Sequence, residues 1–168
     1  MSERFAVRVV KDHLVFCSGH FISYEGDKCE RLHGHNYRTA VEVRGPLDDN
    51  QYVFDFIALK RLTREITDEL DHRMLLPLHN PLIRVERLGP SIQVSYRDRR
   101  WVFPTDDCVL LPVGNTTAEE LARYIGRRLS QLLLERHQFV PEELLVEVEE
   151  GPGQSAVYAW KPEINPLS

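Results

Sequence analysis

The 168-residue sequence has no apolar run approaching the ~18 to 20 residues that a membrane-spanning helix needs, which excludes a helical membrane protein. Its first segment, Met1 to Asp12, alternates charge with valine instead of forming a secretory-signal core, so a cytoplasmic protein is expected. Cysteine is scarce. Cys17, Cys29 and Cys108 are an odd number at irregular spacing, which argues for free thiols and against a disulfide framework. Basic charge is not in excess either: 21 Lys and Arg stand against 26 Asp and Glu, a formal net charge of −5. A nucleic-acid backbone requires a local surplus of Lys and Arg, and the one basic knot, Arg97, Arg99 and Arg100, is interrupted by Asp98. It is read as a solvated turn, with guidance of a polyanion as the alternative. There is no internal repeat and no low-complexity segment, and 42% apolar with 28% charged residues excludes intrinsic disorder. A single soluble domain over residues 1–168 is expected, large enough to bury roughly two thirds of the surface of its unfolded chain.

Phe5 to Phe16 is rich in β-branched and aromatic residues with partial alternation, and His35 to Val43 alternates again before a Gly45-Pro46 turn. Two strands joined by a polar loop, Ser23 to Arg31, follow from this. Phe56, Leu59, Leu62, Ile66 and Leu70 recur at helical spacing, with Asp55 placed to cap the helix. A second helix begins after Asn115, Thr116 or Thr117, and Glu119 and Glu120 stand in its first turn. Leu144, Val146 and Val148 alternate with glutamates, and beyond a Gly151-Pro152-Gly153 turn Ala156 to Trp160 pairs back as a hairpin. Between the helices, residues 83–111 contain Ile92 to Tyr96 and Trp101 to Phe103 around a charged turn, which predicts an inserted hairpin. The order implies an α+β fold: a four-stranded antiparallel sheet with two helices on one face.

The densest chemistry lies in Cys29-Glu30-Arg31-Leu32-His33-Gly34-His35. Residues two apart on a strand share a face, so His33 and His35 present two imidazoles together, and His20 at the end of the preceding strand can add a third. Three neutral histidines suit a Zn²⁺ ion with one coordination position left open. Cys29 is either a fourth ligand closing the site or a thiolate acting as base or nucleophile, and spacing leaves both open. Cys17 and Cys108, in apolar company, read as small buried hydrophobes. Asp71-His72 is either acid–base equipment or a plain helix C-terminus. Glu149 is either a functional carboxylate or part of a solvated strand face. His13, His79 and His137 have no partner pattern.

Taken together, Phe16-Cys17-Ser18-Gly19-His20, Cys29-x-x-x-His33-Gly34-His35-Asn36-Tyr37, Val53-Phe54-Asp55-Phe56, Leu70-Asp71-His72, Asn115 to Ala122 and Val146 to Glu149 resemble the 6-pyruvoyltetrahydropterin and 6-carboxytetrahydropterin synthase family. The resemblance implies the tunnelling fold (T-fold), in which subunits join their sheets into a trimeric barrel that commonly stacks into a hexamer. It implies His20, His33 and His35 as zinc ligands and Cys29 as catalytic base. Asp71 and His72 would form a partner dyad reaching the site from a neighbouring subunit, while Glu149, with Thr117, would hold the guanidine-like edge of a pterin. The implied reaction consumes 7,8-dihydroneopterin triphosphate. The four-residue step from Cys29 to His33 is similar to the short-loop form of bacterial enzymes that make 6-carboxytetrahydropterin for 7-deazaguanine (queuosine) synthesis. The alternatives are the pyruvoyl product, a zinc hydrolase and a non-catalytic pterin binder. Two residues depart from the family pattern: Glu120 stands where Asn is usual, and Glu150 where Thr is common.

Overall fold

The computed structural model describes residues 3–163. Two long strands dominate it: β1 (Phe5–His20) and β4 (His33–Gly45) run antiparallel, with Phe5 opposite Gly45 at one end and His20 opposite His33 at the other. The loop between them folds into a small ribbon of β2 (Ser23–Tyr24) and β3 (Lys28–Cys29). Next come α1 (Phe56–Leu70), β5 (Arg73–Pro77), β6 (Arg84–Leu88), β7 (Ser91–Tyr96), β8 (Arg99–Pro104) and β9 (Cys108–Leu111), then α2 (Ala118–His137), β10 (Glu143–Gly151) and β11 (Gln154–Trp160).

The main sheet has the order β11-β10-β4-β1-β5-β9. Its first four strands are the antiparallel set expected from sequence, but β5 runs parallel to β1 and β9 parallel to β5. The expected four-stranded antiparallel sheet is therefore corrected to a six-stranded mixed one. Arg73–Pro77 and Cys108–Leu111 are short and show no alternation that would mark one face as wet, because both flanks are covered. The insertion is likewise a three-stranded sheet, β6-β7-β8, and not a lone hairpin, and residues 108–111 belong to the main sheet.

Both helices pack on one face of the main sheet, α1 over β1 and α2 over β10 and β11. Asp55 caps α1 by accepting from the backbone N–H groups of Ile57 and Ala58, and Thr117 caps α2 by accepting from that of Glu120. The core joins Leu59, Leu62 and Ile66 to Ile125 and Leu129 over Val41, Val43, Val146 and Val148, each such side chain contributing about 1.5–3 kcal/mol of burial. A second cluster beneath the insertion contains Phe21, Met74, Leu76, Ile92 and Val94. None of the described helices is long and apolar enough to cross a membrane.

One irregularity aims the functional end of β1. Val10 pairs with Ala40 and Val15 with Arg38, so β1 advances five positions while β4 advances two. The odd excess reverses the alternation. Val7 and Val9 face the helices before the bulge, and Leu14, Phe16, Ser18 and His20 after it.

Candidate active site

His20, His33 and His35 meet at the paired ends of β1 and β4, with ring centroids 4.7 Å (His20–His33), 4.8 Å (His33–His35) and 5.1 Å (His20–His35) apart. They lie on the helix-facing side, above the stacked pair Phe16–Tyr37. Gly34 is what lets the strands close here, since a Cβ at that position would sit 2.9 Å from the Ser18 carbonyl oxygen.

Two of the rings are oriented through their Nδ1 atoms. His20 Nδ1 lies 2.8 Å from the Thr116 carbonyl and His33 Nδ1 lies 2.8 Å from the Arg31 carbonyl. A carbonyl only accepts, so each ring holds its proton on Nδ1 and turns the Nε2 lone pair inward, the usual second-layer arrangement of a metal-binding histidine. His20 is almost wholly buried, and burial lowers its proton affinity despite the Thr116 contact, which keeps the ring neutral and able to ligate. The Nε2 atoms of His20 and His35 are buried without a hydrogen-bond partner. Unpartnered buried nitrogens are costly, and three imidazoles converging in this way could hold a metal ion. The potential ligand atoms of His20, His33, His35 and Glu150 all lie within 4.8 Å of one another.

Cys29 falls outside that four-residue group, which removes the geometric basis for reading it as the fourth ligand. It ends β3, half-buried, with Sγ 3.5 Å from the Glu30 carbonyl. Burial raises its thiol pKa and the Arg99 guanidinium opposes that shift. Arg99 is not the solvated residue that the sequence suggested. It donates to the carbonyls of Cys29 at 3.0 Å and Glu30 at 2.9 Å, and its guanidinium lies 4.6 Å from the centre of the Trp101 ring. Arg97 pairs with Asp27 at 2.8 Å and Tyr96 donates to the Asp27 carbonyl, whereas Arg100 is exposed. The insertion thus grips the thiol-bearing loop. Its partners lie some 70 residues away in sequence, where no local pattern could reveal them.

Asp71 and His72 contact each other, with Asp71 Oδ2 2.8 Å from His72 Nδ1. Asp71 also accepts from the Cys17 N–H at 2.7 Å, and although burial works the other way, this bond and His72 hold its carboxyl below the usual aspartate range. His72 is mostly exposed and adopts a left-handed backbone at φ 54°, tied by its N–H to the Cys17 carbonyl. The dyad stands level with Cys17, three residues, or about 10 Å of strand, before His20. Cys17 is exposed, a correction to its expected burial: after the bulge, odd-numbered residues of β1 face away from the helices. Cys108 is half-buried against the cluster beneath the insertion.

Thr117 lines a cleft of about 380 Å³ together with His20, Glu150, Gln154 and Ser155. Glu149, opposite Arg38 in the ladder, alternates with Val148 and so lies on the other face of the sheet from the histidines. Glu120 is neutralised by an ion pair with Arg123. A larger cleft of about 660 Å³, at the far end of β4 around Arg4, Arg44 and Glu143, holds no comparable set of reactive groups.

Sequence and structure comparisons place the chain among known proteins. The profile of the 6-pyruvoyl tetrahydropterin synthase family matches residues 9–161. A Methanocaldococcus jannaschii protein, provisionally named a 6-carboxy-5,6,7,8-tetrahydropterin synthase, is 32% identical over 146 residues, covering 86% of this chain and 89% of that protein. The Haemophilus influenzae 6-carboxy-5,6,7,8-tetrahydropterin synthase is 30% identical over 119 residues, covering 68% and 76%. Among solved structures, a Plasmodium vivax 6-pyruvoyltetrahydropterin synthase, in a variant replacing a glutamate described as catalytic, superposes with a TM-score of 0.88 at 27% identity, covering 96% of this chain and 100% of that one. With residues 9–161 matched by the family profile and 96% of the chain superposed on a solved member, the chain belongs to the 6-pyruvoyl tetrahydropterin synthase family and is an enzyme of the lyase type.

Proposed function

We propose that the protein is a zinc-dependent lyase converting 7,8-dihydroneopterin triphosphate to 6-carboxy-5,6,7,8-tetrahydropterin, with release of acetaldehyde and triphosphate, in the 7-deazaguanine route. The observation that carries this reading is the pair of buried, unpartnered Nε2 atoms converging with His33 in a chain whose relatives bear that name. His20, His33 and His35 would hold the zinc, which when bound supplies Lewis acidity toward oxygens of the substrate side chain. Cys29 removes the proton from the side-chain carbon, and the loop grip of Arg99 fixes where that thiol sits. The Asp71–His72 dyad of a neighbouring subunit returns a proton to the ring: Asp71 fixes the His72 tautomer through Nδ1 and leaves Nε2 to act. Glu149 holds the guanidine-like edge of the pterin of a site completed by another subunit, since it lies on the sheet face away from the histidines of its own chain. Thr117 lines the cleft beside His20. The assembly is a homo-oligomer, a trimer or hexamer with shared sites.

The deciding experiment incubates zinc-loaded protein with dihydroneopterin triphosphate and identifies products by mass. Carboxytetrahydropterin is the expected product. Recovery of 6-pyruvoyltetrahydropterin would reassign the product, and unchanged substrate would overturn the reading. The Cys29→Ala variant should lose at least about a hundredfold in turnover while retaining zinc. A second reading of the base rests on Glu30, whose carboxylate lies 3.9 Å from His33 Nε2, and on the catalytic glutamate named for the Plasmodium relative. Under it, Glu30→Gln and not Cys29→Ala abolishes turnover.

A further inference from the structure

The carbonyl that orients His20 belongs to Thr116, so its position depends on how the loop between β9 and α2 is held. Asn115 is free to hold it, because the cap of α2 is Thr117. Its side-chain amide pairs with the backbone of Ser23 in both directions: Nδ2 donates to the Ser23 carbonyl at 2.8 Å, and Oδ1 accepts from the Ser23 N–H at 3.3 Å. A side-chain amide carries the donor and acceptor of a peptide group, so Asn115 does here what a neighbouring strand would do. The same Oδ1 accepts from the Thr116 N–H at 3.2 Å, which fixes the peptide leading into Thr116. Asn80, at the root of the insertion, holds the other side. Its Nδ2 donates to the Gly114 carbonyl at 2.7 Å and to Ser23 Oγ at 2.9 Å, while its Oδ1 accepts from the N–H groups of Leu82 and Ile83, both at 2.9 Å. Every donor and acceptor of that amide is thereby used. Thr116 itself is fully buried, and its hydroxyl donates to the Phe21 carbonyl at 3.4 Å.

We infer that Asn115 is a positioning residue of the metal centre and Asn80 its anchor: the two amides hold the Thr116 carbonyl against His20 Nδ1 and so keep the His20 Nε2 lone pair turned inward. His20 needs such a clamp more than its neighbour does. His33 takes its orienting carbonyl from Arg31, two residues away, whereas Thr116 is 96 residues from His20 and no local turn brings them together. A neutral imidazole carries one ring proton, and a His20 ring released from Thr116 can place it on Nε2, the atom that has to ligate. Because Asn80 stands at the base of β6, the clamp also ties the inserted sheet to the metal centre by a route separate from Arg99.

The inference rests on the metal-centre part of the proposed function and on no particular substrate. Zinc affinity is measured by chelator competition for wild type, Asn115→Ala, Asn80→Ala, His33→Ala and Leu132→Val. The last loosens the core roughly 21 Å along α2 from Ala118 and controls for a general loss of stability. Thermal melting of the metal-free proteins selects variants that are folded. Asn115→Ala should bind zinc at least about tenfold more weakly, Asn80→Ala should shift in the same direction, and Leu132→Val should match wild type. Nitrogen-resolved NMR, with and without zinc, follows the His20 Nδ1–H proton, which should exchange with water at least about tenfold faster in both asparagine variants. If the asparagine variants keep wild-type affinity and proton exchange, or change no more than Leu132→Val, the assignment fails and the fold at large holds Thr116. If wild type binds zinc no better than His33→Ala, the proposed function itself fails, whereas failure of the clamp alone leaves the wild-type affinity intact.

Discussion

Asp71 shows how one carboxyl ties a helix end, a strand and a histidine together. It ends α1, accepts from the Cys17 N–H and orients His72, and these partners favour its ionised form. A carboxyl whose folded pKa is depressed contributes its full stability above the unfolded value, about 3.9, and loses it as pH falls through the folded one. The melting temperatures of wild type and Asp71→Asn should therefore differ most above about pH 4 and converge toward pH 2. A gap that stays constant over that range would place the effect in shape and not in charge. At this scale the sequence was informative wherever residues act through local spacing: His33 and His35 two apart on a strand, Asp55 and Thr117 before their helices. It was uninformative about Glu150, whose approach to His35 depends on where an irregular strand ends, and about Arg99, whose partners are distant in sequence.

Among the elements, the insertion carries the least obvious duty. β8 presents Arg99 to the loop that bears Cys29, and its Trp101 stacks on Phe21, next to His20, with ring centroids 4.5 Å apart. Arg99→Ala should speed amide hydrogen exchange across residues 25–31 by at least about tenfold, the equivalent of losing ~1.4 kcal/mol of local stability. Arg100→Ala, on the exposed neighbour, should leave it unchanged. Equal effects of the two would mean that charge, and not the paired carbonyl bonds, holds the loop. α2 sits equally close on its sheet: a Cβ at Gly126 would meet Tyr158 at 2.6 Å. Gly126→Ala should destabilise by about 1–3 kcal/mol in denaturant unfolding, outweighing the better helix propensity of alanine. The two helices and four antiparallel strands were legible because each has a wet face and a dry one, which imposes a period. β5 and β9 have none to show, and the bulge of β1 reverses its own alternation midway, so the side that receives His20 could not be counted from Phe5.

For the whole molecule, the separation of Cys29 and the three histidines from the Asp71–His72 dyad is the informative distance. If each site draws its thiol from one chain and its dyad from the next, neither Cys29→Ala nor Asp71→Asn homo-oligomers turn over, yet a mixture of the two, dissociated and reassembled, regains activity. Random assembly of equal amounts gives both intact halves at about one quarter of the sites. No recovery after verified subunit exchange would place the whole apparatus within one chain. Such sharing also bears on the acidic composition. A net charge of −5 is a poor guide to a polyanion site when part of that site comes from a second copy.

The stack of Trp101 on Phe21 has a practical consequence. The chain has only two tryptophans, and the other, Trp160, packs against the main core in β11. With Trp160 replaced by phenylalanine, the remaining indole would lie between the guanidinium of Arg99 and a ring adjoining His20. Its emission becomes a built-in optical gauge of loop order, readable in real time as metal or pterin is added.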